Sequence, residues 1–328
     1  MTMNCPVCES ESKRFGRHRN GLQRYRCLRC QKTFTEDHAP AFRIEDYLND
    51  PRGVMAIQLL IEGCSIRTAE RVTGLHRDAI MRLLVTLGER CETLMATIIR
   101  NVKVSDVQAD EIWSFVKLKE SHKTPEQAHE DTIGDCYVWV AMEARSKLVL
   151  AYVVGRRTAA NAMELMWKLR GATADDGRFQ LTTDGLQSYL PAVDEMLSDR
   201  VDFAQLIKTY KTPREGEARY SPPEIEKTVP VVISGNPSKH RICTSHVERQ
   251  NLTMRMSLRR FTRLTNGFSK SLRNHSAAVA LHFAYYNLCR YHQTLRITPA
   301  MEAQVTDHVW SLPELIAASA RVRLPAVA

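Results

Sequence analysis

Two groups of side chains stand out for what they would do if the chain brought them together. The first is a pair of C-x2-C units, Cys5-Pro-Val-Cys8 and Cys27-Leu-Arg-Cys30, separated by 18 residues. Two tight turns at that separation bring four thiolates around one tetrahedral zinc ion. The second is three acids: Asp110 in Val107-Gln108-Ala109-Asp110-Glu111-Ile112-Trp113, Asp184 closing Leu181-Thr182-Thr183-Asp184, and Glu248 opening a basic helical stretch, at separations of 74 and 64 residues. Carboxylates converging from two neighbouring strands and a helix are hard oxygen ligands that suit Mg2+ or Mn2+. Two such ions, about 3.5–4 Å apart, would activate a water or a 3′-hydroxyl and stabilise the leaving oxygen of an in-line phosphoryl displacement. Adjacent residues of a strand face opposite ways, so Glu111 rivals Asp110 for the first position. Asp106, Asp135 and Glu143, also on or near strands, read as structural or surface acids.

These groups need elements to hold them. Residues 1–38 are rich in Arg, Cys and polar residues, too short to bury a core without a metal or disulfides. From Ile44 to Ile99 apolar residues recur at helical spacing (Ile57, Leu60, Ile61; then Ile80, Leu83, Leu84, Leu87). The pattern changes at Val102. Val104–Phe115, Tyr137–Ala144 and Lys147–Val154 read as a three-strand meander with a turn at Ala144–Ser146. A helix over Ala159–Arg170, a strand over Phe179–Thr183 ending at Asp184, a helix over Ser188–Leu197 and a strand over Asp202–Lys208 follow. That order predicts a mixed sheet flanked by helices. The polar, Pro-containing stretch from Lys211 to Lys239 reads as an exposed loop. A long helical region from Ser245 to about His292 closes the core, its apolar Val279, Phe283, Tyr286 and Leu288 inward together with His282 and His292, and the tail after Leu312 is poorly specified.

The charge balance, 46 Lys plus Arg against 37 Asp plus Glu for a net +9 and a pI near 9.1, favours a polyanionic partner. The excess is clustered. Lys13, Arg14, Arg17, His18, Arg19, Arg24 and Arg26 lie between the cysteine pairs, where they suit phosphate contact, Arg17 and Arg24 foremost. Ser65 to Leu84 resembles a helix-turn-helix DNA reader: a capped helix, a turn at Gly74 where positive φ is needed, and a second helix, with Ile66, Val72, Leu75, Ile80 and Leu83 inward. His76, Arg77 and Arg82 on that second helix are its candidate nucleic-acid contacts. After Glu248 there is no acid until Glu302, while Arg249, Arg255, Arg259, Arg260, Arg263, Lys270, Arg273, Arg290 and Arg296 supply nine positive charges. Such a run suits a duplex-binding surface beside a cutting site, and Asn251 and Arg255 are expected to share the helix face of Glu248. No stretch approaches 18 uninterrupted apolar residues, and the start lacks the pattern of a secretory leader, so a cytoplasmic protein with no membrane partner is expected, nucleoid-associated when on DNA. Nine cysteines with four in two close pairs fit metal thiolates rather than a secreted disulfide framework.

Ala109-Asp110-Glu111-Ile112-Trp113-Ser114, Thr183-Asp184-Gly185 and Val247-Glu248-Arg249-Gln250-Asn251-Leu252, behind the cysteine pairs, resemble the motifs of insertion sequence 1 family transposases across nearly the whole chain. The resemblance implies a ribonuclease H-like core whose catalytic triad is Asp110, Asp184 and Glu248. It also implies recognition of terminal inverted repeats by a zinc ribbon and helix-turn-helix, metal-dependent 3′-end cleavage with strand transfer, and double-stranded DNA as partner and substrate. Joining two DNA ends calls for a homodimer or larger assembly. The domain plan that follows is a multidomain α+β and α/β chain: zinc ribbon 1–40, helix-turn-helix domain 41–100, mixed-sheet core 101–300 with an exposed loop at 211–240, and a C-terminal tail 301–328. A sequence-specific repressor or inactive copy, using the same DNA-binding front end, is the alternative, and a structure-selective nuclease would share the chemistry without the joining step.

Overall fold

The structure, a computed structural model, describes residues 3–18, 21–36, 44–211, 224–262 and 265–322; Arg19, Arg263, residues 212–223 and the last six residues lie outside these. The chain forms two compact units, residues 1–46 and 47–328. The first is a three-stranded antiparallel sheet of β1 (Ser12–Arg17), β2 (Gln23–Cys27) and β3 (Thr33–Thr35). Little is buried in it besides Cys5, Tyr25 and Cys27, and Tyr25 stacks on Phe34 with ring centres 5.8 Å apart. So few apolar contacts leave the cysteines to hold it together.

Helices α1 (Ile44–Asn49), α2 (Pro51–Ile61), α3 (Ile66–Thr73) and α4 (Arg77–Ile98) come next. Asp50 caps α2 by accepting from the Arg52 amide at 2.8 Å, and Pro51 takes the first helical position, where no amide is needed. The remaining elements are β4 (Asp106–Val116), β5 (Gly134–Glu143), β6 (Val149–Gly155), α5 (Ala159–Ala172), β7 (Phe179–Asp184), α6 (Tyr189–Leu197), β8 (Val201–Tyr210), β9 (Ile225–Ser234), α7 (Ser245–Ser257), α8 (Leu272–Leu288), α9 (Pro299–Glu302) and α10 (Leu312–Ser319). The sheet order is β6-β5-β4-β7-β8-β9: β4, β5 and β6 form the expected antiparallel meander, β7 and β8 run parallel to β4, and β9 returns antiparallel.

Strand alternation divides β4 between two layers. Ile112 packs with Val138, Val140 and Met142 of β5 against Val247 and Met254 of α7 and Val279 and Phe283 of α8. On the other face Trp139 meets Tyr189 of α6 edge-on at 5.6 Å. Helix α4 packs on α8, and the reason is legible at one residue: a Cβ on Gly88 would stand 2.2 Å from the Ala277 carbonyl oxygen. The helices of 41–100 therefore join the core's compact unit from residue 47 on, rather than forming a module of their own.

Three expectations change. Within the stretch read as an exposed loop at 211–240, residues 225–234 form β9, exposed along most of its length and paired antiparallel with β8 from end to end, with an irregularity near each end. Pro230 is tolerated because β9 is an edge strand. The helical region from Ser245 is not continuous: it breaks after Ser257, passes through a short 3-10 turn at Arg259–Phe261, and restarts at Leu272. The 301–328 tail contains α10, which buries Leu312, Leu315 and Ile316 and packs on α4 and α8. Its start is a capping box in which Ser311 and Glu314 satisfy each other's amides. Among the described residues no helix is long and apolar enough to cross a membrane.

Candidate active site

Asp110 and Asp184 meet because β4 and β7 are neighbours in parallel register. Ala109 lies opposite Thr183, so the next residue of each strand is a carboxylate, and β7 ends there. Glu111 belongs to the same cluster, and one carboxylate oxygen from each of the three lies within 4.8 Å of the others. The three are held from different sides. Asp110 shares the α7 face with Gln108 and Ile112, and its Oδ2 accepts from Asn251 Nδ2 at 2.8 Å. Glu111 faces the α6 layer, only 2% of its side chain exposed, and pairs with Arg157 at 3.0 Å. Arg157 also reaches Asp184 Oδ2 at 3.5 Å, while Asp184 Oδ1 accepts from the Leu186 amide at 3.0 Å.

Glu248 comes from α7, on the same sheet face as Asp110. A buried glutamine fixes that helix: Gln108 Oε1 accepts from the His246 and Val247 amides at 2.9 and 3.3 Å, capping α7 two residues along β4 from Asp110. Glu248 is paired with Lys208 of β8 and accepts from the Thr244 hydroxyl. It stands outside the tightest cluster, yet its charge is felt by both Asp110 and Asp184.

The electrostatics reflect crowded, desolvated acids. Burial, then the neighbouring Asp184, pushes Asp110 up to about 7. Burial, again with Asp184 next, pushes Glu111 up to about 8. Asp184 is also raised, chiefly by burial. Negative charge gathered this closely wants a cation. The donor set fits a hard divalent ion: Asp110, Asp184 and Glu248 on one face, with Glu111 in reach from the other. The buried Asn251 Oδ1, beside Asp110, has no hydrogen-bond partner.

In the N-terminal unit the four cysteine sulfurs lie within 4.8 Å of one another, with Cys5 to Cys30 at 3.6 Å and Cys8 to Cys27 at 3.4 Å. Tetrahedral zinc–thiolate bonds of about 2.3 Å place sulfurs about 3.8 Å apart, so the group fits zinc. The two knuckles are built alike. Cys5 N donates to Ser10 O at 2.8 Å and Cys27 N to Lys32 O at 2.9 Å, and the residues after Cys8 and Cys30, Glu9 and Gln31, have φ of 57° and 61°. Amides of Val7, Arg29 and Cys30 point at sulfur. Hydrogen bonds with the Ser10 backbone, the Ser10 side chain and Cys27 draw the Cys8 thiol down to about 6. At Cys30 the lowering by the Lys32 backbone hydrogen bond is outweighed by burial and the hydrogen bonds shared with Cys27, Cys5 and Cys8, which push it up to about 11, so without a metal the four sulfurs share their protons unequally. Arg17 is exposed at the end of β1, and the Arg24 guanidinium lies 5.7 Å from the Phe15 ring centre.

The Ser65–Leu84 segment has the expected elements: Ser65 caps α3, Gly74 turns in the left-handed region at φ 72°, and α4 follows. His76 caps α4 through Nδ1, and Glu70 reaches across the turn to accept from the Arg77 amide at 3.0 Å. His76, Arg77 and Arg82 are all exposed. Val72, expected inward, is 56% exposed; Ala69 fills the inner position instead, and Ile66 is half-buried while Leu75, Ile80 and Leu83 are inside.

The basic tract after Glu248 divides. Arg249 and Arg259 are exposed, and Arg255 is half-buried. Asn251, three residues after Glu248, is buried against Asp110 along with Val247, Gln250 and Met254 of α7, while Glu248 lies at the more exposed edge of the helix with Lys208. Arg260 is also turned in, to Ser269 Oγ at 3.0 Å, and burial lowers it to about 10. Arg273 is taken up by Glu89 and Arg290 bonds Ser257. Val279, Phe283, Tyr286, Leu288 and His282 are core, as expected. Sequence reading gave no role to Gln108, Arg157 or Lys208; Gln108 stands two residues from Asp110 in the same strand, but each of the three acts through a partner far along the chain.

No protein-family model matches this chain, and no curated protein matches it. Among solved structures it is similar to a piggyBac transposase synaptic complex with hairpin DNA, at 12% identity and a TM-score of 0.36, over 87% of this chain and 72% of that one. It is also similar to a Mos1 transposase paired-end complex with the left transposon end, at 15% identity and a TM-score of 0.20, over 51% of this chain and 60% of that one. A third is a pre-cleavage Mos1 transpososome, at 13% identity and a TM-score of 0.20, over 51% and 61%.

Proposed function

We propose that this chain is a DNA transposase of the DDE type, related to the insertion sequence 1 family, with a ribonuclease H-like core and Asp110, Asp184 and Glu248 as its catalytic triad. The observation that carries the reading is the meeting of Asp110 and Asp184 on adjacent parallel strands, with Glu248 brought to the same face by a helix that Gln108 caps. Placing the first and fourth core strands side by side is what that reading requires. It also favours Asp110 over Glu111, since Asp110 alone of the two shares the face of α7.

Mg2+ or Mn2+ at these acids would supply Lewis-acid activation of the attacking and leaving oxygens in 3′-end cleavage and strand transfer. The chain's own residues orient the acids and the DNA. Asn251 fixes Asp110, the Leu186 amide and Arg157 fix the two oxygens of Asp184, and Glu111 holds Arg157 from the far face. Arg249, Arg255 and Arg259 offer positive charge to the duplex beside the acids. The zinc ribbon, through Arg17 and Arg24, and the α3–α4 pair, through His76, Arg77 and Arg82, read the terminal inverted repeats, and at least two copies act together in the cytoplasm.

The test is strand transfer by the purified protein on a labelled terminal-repeat duplex with Mg2+ or Mn2+. Joined products in the wild type, lost in Asp184→Asn and Glu248→Gln while DNA binding persists, are expected. Binding without cleavage in the wild type on its own element ends would sink this reading in favour of a repressor. Nicks without joined products would point to a nuclease.

A further inference from the structure

We propose that Lys208 is a latch on the third carboxylate: it occupies Glu248 while no divalent cation is bound and leaves it when one is. The inference rests on reading the acids as a metal centre. In the parallel register of β7 and β8, Asp184 lies opposite Leu206, and Lys208 is two residues further on, on the same side of the strand. From there its ammonium, 17% exposed, pairs with Glu248 and donates to Thr244 Oγ1 at 3.2 Å, while Thr244 donates to the same carboxylate. The three groups form a closed triangle across β8 and α7.

Lys208 thus holds the third acid from a strand position two residues beyond the one opposite Asp184, and the carboxylate it occupies is the one an ion shared by the three acids would need. Two cations at contact separation repel strongly in a half-buried setting, so the ammonium and the ion compete for Glu248. Arg157 cannot play this part. It approaches Asp184 while paired to Glu111, whose side chain faces the α6 layer, and its planar fork is committed to both. Lysine, a point charge on a flexible four-carbon stem, can give up Glu248 and stay near, positioned to meet a phosphate oxygen brought in beside the ion.

The latch makes Lys208 a positioning residue whose removal tightens metal binding, the reverse of what loss of a ligand does. The experiment measures Mn2+ binding to the full-length, zinc-loaded chain without DNA, by titration calorimetry and by the loss of the free Mn2+ spin-resonance signal. Lys208→Met is expected to bind Mn2+ about fivefold tighter than wild type, the scale of losing one partly exposed ion pair, and to show a larger Mn2+-induced rise in Tm. Lys208→Arg, which keeps the charge, should stay within about twofold of wild type on the same scale. Lys208→Gln replaces the methionine variant if that one is not folded by circular dichroism. Unchanged or weaker binding in the folded, uncharged variant overturns the latch, as does equal tightening in Lys208→Arg. A wild type with no Mn2+ site that Asp184→Asn abolishes overturns the metal-centre reading instead.

Discussion

Asp110→Asn should stabilise the metal-free protein, and by an amount that depends on pH. The carboxyl is raised from 3.8 to about 7, first by burial and then by Asp184. In the unfolded chain it ionises near its ordinary value, so between about pH 4 and pH 7 folding takes up a proton and stability falls as pH rises; above 7 the full cost of the buried charge remains. Each tenfold in proton affinity is worth about 1.4 kcal/mol, which puts the cost at about 4 kcal/mol at pH 8 and about 2 kcal/mol at pH 5. Asparagine keeps an oxygen for Asn251 and carries no charge, so it removes most of that cost. We expect a gain of about 2–4 kcal/mol at pH 8, shrinking toward pH 5, read as a rise in Tm of about 4–8 °C by scanning calorimetry in buffer freed of Mg2+ and Mn2+. Added Mn2+ should reverse the order, raising the wild type and leaving the variant unmoved. A folded Asp110→Asn protein no more stable than wild type at pH 8 would refute the claim that this acid is held at an electrostatic cost for the sake of a cation.

Three further outcomes follow from the same geometry. Gly88→Ala drives a methyl into the Ala277 carbonyl and should cost about 1–3 kcal/mol of stability, seen in denaturant unfolding, because backbone on both helices must move. Zinc removal, or Cys8→Ser, should melt the N-terminal sheet and abolish sequence-specific DNA binding in a gel-shift assay, while residues 47–328 stay resistant to protease; retained specific binding after verified zinc loss would contradict the ribbon's role. Arg157→Gln should lower single-turnover cleavage by about tenfold to a hundredfold, the usual effect of losing a group that orients a ligand. If it has no effect on the rate, the contact with Asp184 does not position it.

What the sequence made legible was whatever depends on local spacing. The cysteine pairs announce their site because each C-x2-C makes its own knuckle, and the strands of the meander alternate plainly enough to be read. Gly74 marked its turn because few other residues adopt that φ. The misses come from long-range pairing. Ile225–Ser234 carries the β-branched residues of a strand, but Pro230 argues against one until β8 is seen to need an edge partner. Ser311 and Glu314 spell a capping box in the local sequence, whereas nothing local says that Leu312 and Ile316 find α4 and α8. Helical spacing puts Asn251 on the face of Glu248, but which side of α7 is buried, and that Asn251 meets Asp110 there, is decided by β4 and β5, over a hundred residues earlier. Lys208 and Arg157 look like ordinary surface charges until the acids they serve are in place.

The bonds that assemble the acidic centre also decide when it exists. Asn251 reaches Asp110 across 141 residues and His246 reaches Gln108 across 138, so the centre is closed by contacts between residues far apart in the chain, which cannot form until the long loop between them is closed. The cysteine knuckles and the α3–α4 turn are made from neighbours in sequence, although α4 itself packs on α8 from far along the chain. A chain whose α7 has frayed from the sheet would keep its cysteine knuckles and its α3–α4 turn while having no complete set of acids. Loss of the long-range contacts therefore empties the acidic centre while the locally built elements still stand.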